Sequence, residues 1–297
     1  GDGNVYDGER EESGTGYGND MTYVAERVLT VDELKTFIDA RVPASPTPSV
    51  TPDKDHPAQP LSLNDRLRWL LARRLMRAGR FDDADAYFAP GLDARFSDVD
   101  LRARAKEYAK DLRDGDHAWT DIGKAEARYA AAKIARENGM ELLGFEQGPD
   151  YGDNGGGYQG GSGQSIDTLK GDLVTAGERQ RFNDSAAQPD RRFHYRYIAA
   201  DRAVSAADLL PPRSQAFAAT LCMATNWMLQ GPPDYNEASD GDASKPLNER
   251  QRRAQAYYAR YVKQGPYVEW ADSFGWNCEE PDFAGARKLK RTQQVRA

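Results

Sequence analysis

Three histidines and two cysteines are the scarcest reactive side chains in this chain of 297 residues, and their positions limit the chemistry open to it. His56 lies among prolines, His117 in a turn with Asp114, Asp116 and Asp121, and His194 between Phe193 and Tyr195. Three aspartates around His117 are donor types that hold a cation, although a solvated turn is the plainer reading. His194 reads as a packed or capping histidine. No HExxH, no GxSxG and no strand-borne GxGxxG occurs, so the common signatures of zinc proteases, serine hydrolases and dinucleotide enzymes are missing. The glycines at 155–163 are not followed by Lys-Ser or Lys-Thr, which a phosphate cradle needs. Asp150, Asp153 and Asn154 loosely suggest a calcium loop, without the EF-hand spacing or its closing glutamate. Glu137 or Glu141 could serve as one carboxylate of a glycosidase pair. With 47 acidic residues such pairs arise by chance, and spacing selects none. No catalytic, cofactor-binding or metal-binding residue is assigned, and no cofactor is expected.

Cys222 and Cys278 stand 56 positions apart, too far for a zinc knuckle or a redox CxxC pair. Cys222 lies in the apolar stretch TLCMATNWML, where it is either a free buried thiol or one half of a disulfide that pins the C-terminal segment to the body. The disulfide would require an oxidising compartment. Aromatic residues crowd the last third of the chain. Tyr257, Tyr258, Tyr261, Trp270 and Trp276, with Arg250 and Arg253 as hydrogen-bond donors, form a candidate partner surface for a peptide or glycan. Core packing of the aromatics and a solvated face for the arginines is the plainer alternative.

The formal charge is −7, which argues against a general nucleic-acid binder, and 39% hydrophobic residues supply a core. No apolar run approaches the ~18 residues of a membrane helix. Six acids within residues 1–20 (Asp2, Asp7, Glu9, Glu11, Glu12 and Asp20) against Arg10 place −5 in that segment, while Arg287, Lys288, Lys290, Arg291 and Arg296 make a basic end. The chain begins at Gly1 without an initiator methionine or an apolar leader, as an exported mature protein would. The opening polar stretch resembles the tether that follows the lipidated cysteine of a bacterial lipoprotein, although no such cysteine is present.

The elements that must position these residues read as helices. Residues 1–20 form an acidic Gly-rich tail, and 21–60 a short helix and a Pro-rich arm, with Thr30 and Glu33 as a capping box. Helical hairpins over 61–146 begin at the Ser62–Asp65 cap. One helix ends at Gly79, the next near Pro90, a third at the Asp114–Gly115–Asp116 turn, and a fourth runs from Thr120 to Asn138. A Gly-rich insertion occupies 147–190, mobile over 147–165 and followed by one short helix and a turn, with C-terminal helical hairpins over 191–264 and an aromatic-rich irregular tail with the basic end over 265–297. Strand signals are thin, and the fold class is all-α.

The pair at 63–90 resembles a tetratricopeptide repeat. Trp69, Leu71, Ala72 and Leu75 lie in its first helix, Gly79 ends the turn, and Phe81, Ala84 and Phe88 follow, with Trp69 one place off the usual register. Ala254 and Tyr258 repeat the Ala84–Phe88 spacing, with 214–230 as the preceding helix. Because a single repeat cannot bury its faces, the resemblance implies a solenoid of stacked hairpins with extended arms. The segments AEARYAAAKIARENGMELLG and RRFHYRYIAADRAVSAADLLP with a late YYARYV helix also resemble an uncharacterised group of bacterial exported or lipoprotein TPR-like proteins, over roughly 61–265. That resemblance implies fold and an extracytoplasmic setting, but no activity.

The expectation is a non-catalytic scaffold or structural subunit that works through protein partners, among them other copies of itself in a homo-oligomer or filament, or a larger envelope complex. Neither nucleic acid nor a transmembrane segment enters this reading. A cell-wall enzyme, or a peptide- or glycan-binding lipoprotein using the aromatic region, is the alternative.

Overall fold

A computed structural model describes residues 19–46, 60–152, 156, 166–167, 169–172, 174–230 and 246–296, the last seven as helical backbone. His56, the prolines of 47–59, Asp153, Asn154 and most of the glycine run therefore lie outside the described residues, as does the acidic tail before Asn19. All regular structure among the described residues is helical: α1 (Asn19–Tyr23), a π-helical turn (Val24–Val28), α2 (Val31–Arg41), α3 (Leu63–Arg77), α4 (Phe81–Ala84), α5 (Leu101–His117), α6 (Asp121–Glu137), α7 (Gly139–Leu143), α8 (Ala176–Asp184), α9 (His194–Ala207), α10 (Gln215–Leu229), α11 (Glu249–Gln264), a 3₁₀ turn (Ala271–Ser273) and α12 (Phe283–Arg296). None of these is long and apolar enough to cross a membrane.

The helices gather into two compact units. The first comprises Gly1–Lys106 and Met140–His194, the second Glu107–Gly139 and Tyr195–Ala297. The division runs through the middle of α5, so a reading of successive hairpins along the chain could not locate it.

In the first unit the expected caps form. Thr30 and Glu33 exchange side-chain and backbone hydrogen bonds at the start of α2, and Ser62 and Asp65 do the same for α3. Such a cap contributes about 1 kcal/mol. The buried face of α3 is Leu67, Leu70, Leu71 and Leu75 around Ala72, and Ala84 and Phe88 are buried with it, while Trp69 and Phe81 are half-buried. Gly79 ends α3 at φ +71°, a left-handed conformation that costs a residue with a Cβ. The partner helix α4 closes after one turn, shorter than the helix expected to run to Pro90. The Tyr87 amide bonds to the Ala84 carbonyl in a tighter i−3 pattern. Asp85 turns its carboxylate to Arg102 and Lys106.

The second unit is organised on α10. Eleven of its fifteen residues are buried, which makes it a helix enclosed on all sides rather than an amphipathic surface helix. Its buried hydroxyls find acceptors within the helix, Thr220 on the Ala216 carbonyl (2.7 Å) and Thr225 on that of Leu221 (2.9 Å). α11 packs along α10, and α12 packs on both α10 and α6. The basic end was expected to be irregular, yet from Phe283 it is the helix α12. Asp282 caps it, accepting from the Gly285 amide at 2.8 Å, and Ala286 is buried beneath it. α5 likewise continues through Gly115, where a turn was expected. A Cβ at Gly115 would lie 2.8 Å from Cγ of Arg128, whose Nε donates to the Gly115 carbonyl, so the glycine serves helix–helix approach. α6 begins and ends as the caps indicated, with Thr120 accepting from the Gly123 amide.

Candidate interaction surface

Cys222 and Cys278 are bonded (S–S 2.03 Å, Cα–Cα 5.6 Å), which settles the choice between a free thiol and a disulfide. The bridge anchors the segment 265–278 to the centre of α10. Beside it, Gly275 passes so close to the helix that a Cβ would meet Cγ2 of Thr225 at 2.8 Å, and its φ of +86° also favours glycine. Its amide donates to Sγ of Cys222 (3.2 Å), and its carbonyl accepts from Nδ2 of Asn226 (2.9 Å). Both peptide groups of this buried crossing are thus satisfied.

Phe274, next in line, is the hub of the aromatic cluster. Its ring stacks on Tyr261 at 4.5 Å, meets Tyr258 at 5.3 Å and lies 6.0 Å from Trp270. These separations fall in the favourable range for aromatic pairs. Tyr258, Tyr261 and Trp270 of the expected surface are therefore brought together, but with different exposure. Tyr261 is buried and belongs to the core, Trp270 and Tyr257 are half-buried, and Tyr258 and Trp276 reach solvent. The Ala254–Tyr258 echo thus fails at its second member: Ala254 is buried, whereas Tyr258 is on the outside and Tyr261 takes the inner position. Val262 and Tyr267 add to the exposed face, at 64% and 87% exposure.

The arginines play another part than the one expected. Arg253 donates to Asp201 (2.6 Å) and Glu249 (3.1 Å) and lies over the Tyr197 ring, so its donors are committed within the unit. Arg250 is half-buried and also engaged. Arg260 pairs with Asp208 at 2.7 Å. The exposed cations of α11 are instead Arg252, which donates to the Leu247 carbonyl, and Lys263.

The first unit holds the opposite arrangement, charge in the core. Arg73 pairs with Glu146, both buried, and Arg77 pairs with Glu26 at 2.8 Å while lying 3.8 Å over the Phe145 ring. Buried Arg74 donates to the Ala25 carbonyl, and burial pulls its pKa down to about 10. Asp150, suggested above as a calcium ligand, is wholly buried. It accepts from the amides of Phe145 (3.0 Å) and Phe193 (2.6 Å) and lies 2.9 Å from Nδ1 of His194. His194 is a core residue, as its sequence neighbours indicated. The first residues of the Gly-rich segment are thus a turn folded onto a buried carboxylate. Tyr151 and Phe193 flank it at positive φ (+55° and +53°).

Glu141 is half-buried, with one carboxylate oxygen enclosed and unpartnered, and burial pushes its carboxyl up. Glu137 belongs to the other unit. A cavity of about 170 Å³ lies among Arg68, Tyr87, Asp93, Arg95 and Phe96, but its arginines are already engaged, Arg95 with Asp93 and Asp65, and Arg68 with two backbone carbonyls. Among the described residues no group of three or more His, Cys, Asp or Glu side chains is placed to hold a metal ion.

A scan against protein-family models finds no match, and neither a search of curated proteins nor one of solved structures returns a similar chain.

Proposed function

We propose that this chain is a non-catalytic scaffold or structural subunit of an extracytoplasmic assembly, and that it works by presenting the aromatic face of its second unit to other proteins. The observation that carries this reading is the exposure of Tyr267 and Trp276 on a segment held rigid by the disulfide and the Gly275 crossing, with Tyr258 and Val262 exposed on α11. Rings held in place by covalent and packing constraints lose little entropy on binding. Large exposed apolar groups held on a fixed backbone are typical of interaction sites. The TPR-like relationship remains part of this proposal, supported by the burial of Leu71, Ala72, Leu75, Ala84 and Phe88. The extracytoplasmic setting draws support from the disulfide.

The test is site-specific photo-crosslinking in the cells that make the protein, with the cross-linking residue placed at Tyr267 or Trp276 and, as control, at exposed Asp272. Protein adducts from the two aromatic positions that are absent from the control are the expected result. No adduct from either, or turnover of cell-wall glycan or peptide by the purified chain, would overturn it. Deletion of residues 1–60 is not a usable variant, because Glu26, Leu34 and Ile38 are buried in the first unit.

A further inference from the structure

Trp119, in the turn between α5 and α6, is fully exposed. A tryptophan ring offers up to about 250 Å² for burial, so leaving one wholly in water forgoes one of the largest contacts a side chain can make. The turn around it is acidic. Asp116 is 71% exposed and approaches Arg128 at 3.7 Å, and Asp121, exposed on the other side, is already engaged within the chain. The second unit therefore carries an acidic knob with an aromatic tip.

The same unit carries a surface of complementary character. Arg252, Ala256, Ala259 and Lys263 are all exposed and follow one another on α11 at intervals of four, three and four residues, which places them in one stripe. At about 1.5 Å per residue the two cations stand about 16 Å apart. The two alanines between them leave a low floor on the solvent side of the helix. A flat ring fits on that floor, and exposed Asp116 beside the ring would meet one of the two cations. The arginine can also lie over the indole face.

We infer that the knob at Trp119 of one copy docks on the α11 stripe of a second copy. The contact is heterologous, since the two surfaces differ, so each copy can use both and the product is a head-to-tail chain or ring. This rests on the scaffold reading above and names a second copy as one of its partners. One tryptophan on a helix face is a small interface, so association is weak, with a dissociation constant of about 10–100 µM, and depends on charge.

The experiment is sedimentation equilibrium of the full 297-residue chain, of Trp119→Ala, of the double variant Arg252→Glu/Lys263→Glu, and of an equimolar mixture of the two variants. All three positions are exposed, and circular dichroism confirms that the variants stay folded. The wild-type mass should rise with concentration at low salt. The gain should fall at least tenfold when salt is raised from about 50 to 500 mM, which shortens the Debye length from about 14 to about 4 Å. Each variant alone should remain monomeric. Their mixture should give a 1:1 dimer and nothing larger, because each variant keeps the surface that the other lost. A monomeric wild type at about 500 µM and low salt, assembly by Trp119→Ala equal to wild type, or a mixture without heterodimer overturns the inference. Adducts to a different protein from Tyr267 alongside any of those results would leave the scaffold reading standing.

Discussion

Removing the cross-link between Cys222 and Cys278 tests how the second unit holds its exposed face. The bridge joins residues 56 apart. Closing a loop of that length in the unfolded chain stabilises the folded state by about 4 kcal/mol in the chain-entropy treatment. Cys278→Ser removes only the cross-link, because the Cys222 thiol can still accept the Gly275 amide. Cys222→Ala removes the acceptor as well, leaving a buried N–H that costs roughly 1–3 kcal/mol more, with a small cavity beside it. The assay is urea unfolding followed by tryptophan fluorescence, which reports mainly on this unit because Trp119, Trp227, Trp270 and Trp276 lie in it and only Trp69 lies in the other. With a urea dependence of about 2 kcal/mol per molar, Cys278→Ser should lower the midpoint by about 2 M, and wild type under reductant should match it. Cys222→Ala should fall at least a further 0.5 M, by the same dependence. A loss below about 0.5 M for Cys278→Ser, or equal midpoints for the two variants, would refute the account of the crossing. Two alkylatable thiols in unreduced, denatured protein would refute the bridge itself.

Gly275→Ala should destabilise the second unit by more than 2 kcal/mol, since it combines an unfavourable φ with a Cβ pressed on Thr225. Thermal unfolding reads this, and a loss under about 0.5 kcal/mol would count against the close approach. Breaking the buried Arg73–Glu146 pair by Glu146→Leu should cost about 3–5 kcal/mol, whereas Arg73→Met/Glu146→Leu should recover most of it. A double variant as unstable as the single one would show that the pair is not what the single change breaks. Asp85 is held down at about 2 chiefly by its hydrogen bonds from Arg102, so its contribution is present above pH 4 and disappears as pH falls through about 2. Asp85→Asn should therefore lose about 2 kcal/mol at pH 7 and converge with wild type near pH 2, and a constant difference across that range would contradict the pairing. Glu141 has the opposite sign. Its carboxyl is raised by burial, so its neutral form is favoured by folding and stability is lost as pH rises through the folded value. Glu141→Gln should raise the melting temperature at pH 7 and leave it unchanged below pH 4, and equal melting temperatures at pH 7 would refute this.

What could be read directly from the sequence were features decided by neighbours in the chain. The caps at Thr30, Ser62 and Thr120 and the stop at Gly79 depend on residues three or four positions away, and they form where expected. Features decided by distant residues were not legible. Gly115 breaks no helix because Arg128 lies against it, and the basic end becomes α12 because α6 and α10 offer it a surface. Tyr258 and Tyr261 look alike in the sequence, and only the approach of Phe274, fixed by the bridge, decides which ring is covered. The arginines misled for the same reason. A charge in a helix reads as solvated, yet Arg73 and Arg74 are buried against Glu146 and the Ala25 carbonyl, far along the chain, and Arg253 is spent on distant Asp201 and on Glu249 one turn earlier.

The two units depart from ordinary burial in opposite directions, and the physics of the two departures differs. In the first, desolvated guanidinium and carboxylate groups meet partners inside the unit: Glu26 receives Arg77 and the Glu146 amide, and Glu146 receives Arg73. Such a network adds little net stability but penalises any arrangement that leaves one member alone, so it selects one packing of α3 against the π-helical turn and the 145–150 segment. In the second, Tyr267 and Trp276 stay largely in water at 87% and 62% exposure, on a segment that the bridge staples to α10 and that cannot fold back to cover them. A flexible tail with the same composition would bury those rings against its own core. Holding them out on a fixed backbone forgoes several kcal/mol of burial. Under the proposed function that free energy is recovered by contact with another molecule, which is why the stapled face carries the functional proposal.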